Sequence, residues 1–255
     1  QSREMEALAA QQKEKDRILA ELKKQGKKLN DQITAKQKQM QKVNNAIAAA
    51  IKKAQDDARK LAMAKAAEEK KRKEAEDRAA LKNNSGDNPS STGKINTRAP
   101  KIVVPAKKME SVLLNADNIA LNNSFEKNRG SLPWPLDRGV ILMHYGSNKL
   151  PSGTILDVTS VTISSDIGTP VKSIFRGTVT AVQTVEDMQV VIIQHGRYFT
   201  TYSNLSGVSV QKGQEVETGQ VLGKVAPNFD GVGAIDFYMS NESSNFDPEK
   251  WLRRR

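Results

Sequence analysis

Few side chains in this sequence could do metal or nucleophilic chemistry: the 255 residues include two histidines, His144 and His195, and no cysteine. Without cysteine there is no thiolate nucleophile, no cysteine metal ligand and no disulfide framework, and the redox compartment is not written in the sequence. Two histidines cannot assemble a His-rich metal site either. Each reads first as a hydrogen-bonded structural histidine, ahead of a cryptic acid/base role.

The elements that must position these groups fall into three stretches. From Met5 to about Leu81 there is no proline and one glycine, and Ala, Lys, Glu, Gln and Arg dominate, which predicts one long helix. Leu22, Leu29, Ile33, Met40, Val43, Ile47 and Ala50 recur in alternating three- and four-residue steps, with Gly26 and Lys36 on the same seam. This is a coiled-coil stripe, and the expectation is that a second helix, outside this sequence or from another molecule, covers it. Residues 1–82 form this arm.

Residues 83–107 are rich in Gly, Pro, Ser and Asn and read as a flexible linker. Within 108–131, Met109, Val112, Leu113, Ala116, Ile119 and Ala120 recur at helical spacing, predicting a short amphipathic helix whose apolar face needs a cover. From 132 to 255 the text changes to short β-branched runs between turns, such as Gly177–Val182, Gln189–Gln194 and Tyr198–Tyr202, predicting a mostly antiparallel β-domain. The fold class is therefore α+β.

The net charge of +11 sits mainly on the arm: residues 1–82 hold 22 Lys+Arg against 13 Asp+Glu, and the remainder is nearly balanced. The β-domain thus lacks the concentrated basic footprint of a nucleic-acid reader, and nucleic acid is not an expected partner. The arm reads as a solvated coiled-coil surface rather than a phosphate-binding one. No run approaches the eighteen or so apolar residues of a membrane span, and Gln1 opens within a charged helical pattern, so a mature or trimmed chain is expected.

Several short pieces occur in a telling order: Leu132–Leu136 (LPWPL), Gly168–Val171, Gly177–Val179, Gln194–Gly196, Tyr202–Leu205, Gly213–Gln214, Gly219–Gln220 and Pro248–Leu252. Together they resemble the lysostaphin-type (LytM) endopeptidase domain across 132–252. The preceding coiled coil makes the chain similar to the EnvC-type activators of murein hydrolases. Active members of that domain family hold zinc with a His, an Asp four residues later and the second His of a His-x-His. Here the matching positions carry Val158, Thr162 and Asp236, with Ala234 at the first His of His-x-His and Asn204 at the histidine of Tyr-x-His-Leu. Only Asp236 is a plausible ligand, so the resemblance implies a degenerate peptidase with no metal, no cofactor and no catalytic residue.

What the resemblance implies instead is binding. EnvC-type proteins activate periplasmic N-acetylmuramoyl-L-alanine amidases during septal peptidoglycan splitting, and an FtsEX-like complex in the inner membrane engages their coiled coil. By position the partner groove would be lined by Val158, Thr162, Tyr202, Asn204, Asp236 and Tyr238, with Arg176 and Arg197 as rim charges. The 108–131 segment stands where members carry a restraining arm, giving an autoinhibited activator in the periplasm. Three other readings stay open: peptidoglycan binding without an enzyme partner, an adaptor of the membrane-fusion type, and residual zinc peptidase activity.

Overall fold

The computed structural model describes residues 2–83, 111, 113–114, 116–150 and 152–254, so the segment expected to be a linker lies almost wholly outside the described residues. The first element is a single helix, α1 (Ser2–Asn83), whose 82 residues span roughly 120 Å at the usual rise. A short helix, α2 (Ala116–Lys127), leads into the β-domain.

The strands are β1 (Val140–Met143), β2 (Gly146–Lys149), β3 (Ile155–Val158), β4 (Val161–Ser164), β5 (Pro170–Lys172), β6 (Gly177–Val185), β7 (Met188–His195), β8 (Tyr198–Ser206), β9 (Glu215–Val216), β10 (Val221–Val225), β11 (Ala234–Ser240) and β12 (Asn245–Phe246). Ten of them form one sheet with the order β1-β4-β11-β8-β7-β6-β9, to which β10, β5 and β12 add; β2 and β3 form a separate ribbon. Every strand pairing is antiparallel, as the alternating runs between tight turns require. Thus the architecture is a long helix followed by a mostly antiparallel β-domain, and the fold class is α+β.

Strand alternation divides the central side chains between two faces. Val161, Ile163, Val191, Ile193, Tyr202, Ile235 and Phe237 fill the main core together with Trp134, Trp251 and Phe125 of α2. Val190, Ile192, Phe199 and Tyr238 point the other way and meet Val43, Ile47, Ala50 and Ile51 of α1. The arm's seam is therefore covered, along its middle, by the chain's own sheet rather than by the second helix that its periodicity suggested. A pattern of apolar positions shows that a face must be buried but not what buries it. Further toward the N-terminus Ile18, Leu19 and Leu22 remain exposed.

The amphipathic stripe expected in 108–131 also needs correction. α2 buries Asn122 and Phe125 and packs Leu121 on the main core, while Ile119 and Ala120 face solvent. Leu113 is buried between α1 and the sheet. Met109 and Val112 lie outside the described residues, as does the Ala116 side chain. Aromatic packing decides the face: Phe125 stacks on His195 with ring centroids 4.8 Å apart and on Trp251 at 5.3 Å.

Candidate binding groove

Thr162 on β4 and Asp236 on β11 are direct cross-strand partners, and alternation turns both toward α1. Thr162 Oγ1 donates to Asp236 Oδ1 at 2.6 Å. From the helix, Lys36 reaches down so that its Nζ lies 2.6 Å from both carboxylate oxygens. The Asp236 side chain is 5% exposed and that of Lys36 17%, so this is a largely desolvated, charge-assisted pair rather than a surface contact.

Around the pair α1 lies across a groove without filling it. A cavity of about 190 Å³ remains between Leu29, Ile33 and Lys36 of the helix and Leu142, Leu156 and Phe229 of the β-domain. Further along, α1 is held by polar contacts: Asn44 Nδ2 donates to Thr159 Oγ1 at 3.1 Å, Asn245 Nδ2 donates to Asn44 Oδ1 at 3.3 Å, and Lys42 pairs with Glu186.

The residues singled out from sequence divide into two groups. Thr162, Asn204, Ala234 and Asp236 come together at the cavity wall. Asn204 adopts φ 61, which breaks the strand alternation and re-aims its side chain. Its Nδ2 donates to the carbonyls of Ala226 at 3.0 Å and Ala234 at 2.6 Å, so the amide ties the 226–234 loop to β11. Val158 is buried at the end of β3, opposite Gly146. Tyr238 lies under α1, where burial and then the Asp236 charge push its phenol well above the usual range.

Tyr202, Arg176 and Arg197 do not belong to this groove. Tyr202 points into the main core, and its hydroxyl accepts from Ile174 N at 2.9 Å. Arg197 lies in the β7–β8 turn, where its backbone N donates to Asn122 Oδ1 of α2 at 3.3 Å, six residues from Ser203, the Asp236 partner on β8, or about 20 Å. Arg176 is exposed at the same end, its carbonyl 2.7 Å from His195 Nδ1. The sequence reading passed over the α1 contribution, Lys36 above all. Its signal was present: a lysine on an otherwise apolar seam needs an acid opposite it.

His195 is fully buried, with Nδ1 donating to the Arg176 carbonyl and Nε2 accepting from Thr200 Oγ1 at 2.9 Å. Both ring nitrogens are thereby satisfied by the neutral form, and burial brings its pKa down to about 4. Gly196 beside it has φ +73, and a Cβ there would stand 2.5 Å from Asn122 Cβ, so the glycine lets α2 seat closely. His144 lies exposed elsewhere, its Nδ1 2.9 Å from Glu249 Oε1.

A zinc ion does not fit these side chains. The Asp236 carboxylate is held by an ammonium and a hydroxyl, Asp230 at the groove's edge is engaged by Gln32, the neighbouring amide donates to carbonyls, and both histidines are engaged at other places. Among the described residues no group of three or more His, Cys, Asp or Glu is gathered that could hold a metal ion. What the arrangement does offer is a desolvated acid in an apolar groove, suited to a cation carried on a helix.

Several known proteins are similar to the part of the chain that holds the β-domain. A stretch of 133 residues, 51% of the chain, is 29% identical to the uncharacterized protein NMB1333 of Neisseria meningitidis serogroup B, and spans 22% of that protein's length. Among solved structures, Csd3 of Helicobacter pylori is 20% identical with a TM-score of 0.42, covering 49% of this chain and 35% of that one. A zinc-containing peptidase of Vibrio cholerae is 23% identical with a TM-score of 0.42, over 49% and 41%. Lysostaphin of Staphylococcus simulans is 22% identical with a TM-score of 0.41, over 49% and 54%. Residues 157–248 match the model of Peptidase family M23, and this part of the chain is similar to that family.

Proposed function

We propose that this protein is a non-catalytic regulator of cell-wall hydrolysis, whose M23 domain binds and activates an N-acetylmuramoyl-L-alanine amidase when α1 leaves the groove. The observation that carries the reading is the Lys36–Asp236 pair: at a position where an active family member would bind zinc, this chain holds its own helix instead. Without a metal-bound water there is no activated nucleophile for peptide hydrolysis, whereas a concave site remains a site for binding.

Closure by α1 gives such a site two states. The residues that cover the groove are those around 29–51 of the arm, and α2 is seated at the far end of the β7–β8 hairpin. The restraint in this reading therefore lies in the arm rather than in 108–131. A membrane complex of the FtsEX type that bends or draws the arm would shift the equilibrium only through a different affinity for the two states. A net docking energy of about 2–5 kcal/mol keeps the groove closed at rest and still allows release. In this reading the protein works in the periplasm beside the inner-membrane division machinery.

The test is dye release from labelled peptidoglycan by a purified amidase. Mixtures would contain the wild-type chain or a Val43→Asp/Ile47→Asp variant that unseats α1, each also assayed without amidase. Release only in the presence of amidase, and more of it with the variant, is the expected result. Release by the chain alone would return it to the peptidases, and no effect on any amidase would favour peptidoglycan binding or an adaptor role.

A further inference from the structure

We infer that the groove selects its partner by charge: the helix that replaces α1 is amphipathic and sets one lysine or arginine on Asp236, in the register that Lys36 holds now. This inference rests on the groove being a binding site, as proposed above, and adds the chemistry of what binds.

The chemistry of the occupant follows from α1, which already lies over the groove. Counting from Lys36, apolar residues stand at −7 and −3 (Leu29, Ile33), over the cavity walled by Leu142, Leu156 and Phe229, and at +4, +7 and +11 (Met40, Val43, Ile47), packed on Val190, Ile192, Phe199 and Tyr238. The contact runs along the face of the sheet, whose central strands are paired on both sides, so an added edge strand is not the mode of binding. An apolar face next to the buried Asp236, with Asp230 at the exposed edge beside Gln32, fits neither a glycan nor an anionic ligand.

Asp236 enforces the choice. It is nearly inaccessible under α1, and among the described residues Thr162 is its one other side-chain donor. A helix that covered it with an apolar or acidic residue would leave a buried charge without a counter-ion, the costly half of breaking a buried pair. A cation at that single register removes the penalty, while cations elsewhere along the helix stay in solvent. One acid at the floor of an apolar groove can therefore reject most amphipathic helices and admit those with a basic residue three and four positions from apolar neighbours.

The experiment uses the full chain carrying Val43→Asp/Ile47→Asp and, as probe, a fluorescent peptide of residues 29–58, with fluorescence anisotropy as the readout. The peptide is expected to bind, its Lys36→Glu form at least about tenfold more weakly, and Asp236→Lys in the chain is expected to invert that preference. In parallel, hydrogen exchange over residues 29–58 is followed in the otherwise unaltered chain. Lys36→Glu should speed exchange, and Lys36→Glu with Asp236→Lys should slow it again. Equal binding of the two peptides, or a preference that Asp236→Lys does not change, overturns the inference. So does absence of peptide binding combined with failure of the double substitution to restore protection. Neither assay contains an amidase, so loss of charge selection and loss of amidase activation would be seen separately.

Discussion

Both faces of the central sheet carry a helix, and the two are held in different ways. α2 is built into the main core: Phe125 is fully buried among His195, Phe175, Tyr198 and Trp251, and Tyr198 Oη donates to Glu126 Oε1 at 2.8 Å. α1 rests on a face that includes polar groups it does not satisfy. Thr201 and Ser240 alternate with Phe199 and Tyr238 toward that face, and their hydroxyls are buried without a hydrogen-bond partner. With the cavity beside Lys36, this makes α1 the poorer fit. The contrast is that α2 is built into the main core, whereas α1 covers the opposite face with a looser fit.

The largest effects should therefore come from the α2 side. Phe125→Ala removes the ring at the centre of an aromatic cluster and is expected to destabilise the β-domain by about 3–5 kcal/mol, read by denaturant unfolding monitored by tryptophan fluorescence. An equal loss for Val43→Ala on α1 would erase the distinction. Next comes pH. Because burial lowers the His195 pKa to about 4, the unfolded chain takes up a proton between the ordinary value of 6.5 and 4 while the folded chain does not. Stability is thus intact above about pH 6.5 and falls as pH drops toward 4, by up to roughly 3 kcal/mol, and His195→Gln should flatten that slope in unfolding curves taken across the interval. Protection of α1 from hydrogen exchange should not follow the same curve, since His195 faces the other side of the sheet.

How much of this was legible in the sequence follows the same division. The strands were readable because alternating β-branched runs between Gly-rich turns depend on local chemistry, and β6, β7 and β8 lie over the predicted runs. The long helix was readable from composition. Its cover was not, because the stripe from Leu29 to Ala50 states only that something apolar lies opposite, and coiled-coil spacing and packing on a sheet demand the same periodicity. α2 misled in a different way. Ile119 and Ala120 have the right spacing for a buried face, yet one aromatic residue, Phe125, set the rotation of the helix. At the site, Thr162, Asn204, Ala234 and Asp236 were picked out by their positions in the family resemblance, and the fold brings them to one cavity wall, whereas Tyr202 went astray through the parity of its strand. Lys36 stands 200 residues from Asp236 in sequence, and no local pattern links the two.

Two smaller predictions sharpen the view of α1 as the looser cover. Lys36→Met keeps most of the apolar stem and removes the charge, leaving Asp236 with Thr162 alone. It should cost about 1–3 kcal/mol of α1 docking, seen as faster hydrogen exchange over 29–58 with denaturant stability of the β-domain unchanged. A fall in global stability of the same size would mean that the helix is part of the fold. Ile33→Phe should act in the opposite direction. The cavity beside Lys36 has about 190 Å³ to receive a ring, and filling such a space stabilises by about 1 kcal/mol when the new side chain enters without strain. Exchange over 29–58 should then slow several-fold and, on the function proposed above, amidase activation should decline. If instead Ile33→Phe loosens the helix, the void is too rigidly shaped to accept a larger side chain, and the looseness of α1 would have to come from the unsatisfied hydroxyls of Thr201 and Ser240. Thr201→Val then becomes the deciding variant: replacing an orphaned hydroxyl by a methyl of the same shape should tighten α1 if those groups are what keep it displaceable.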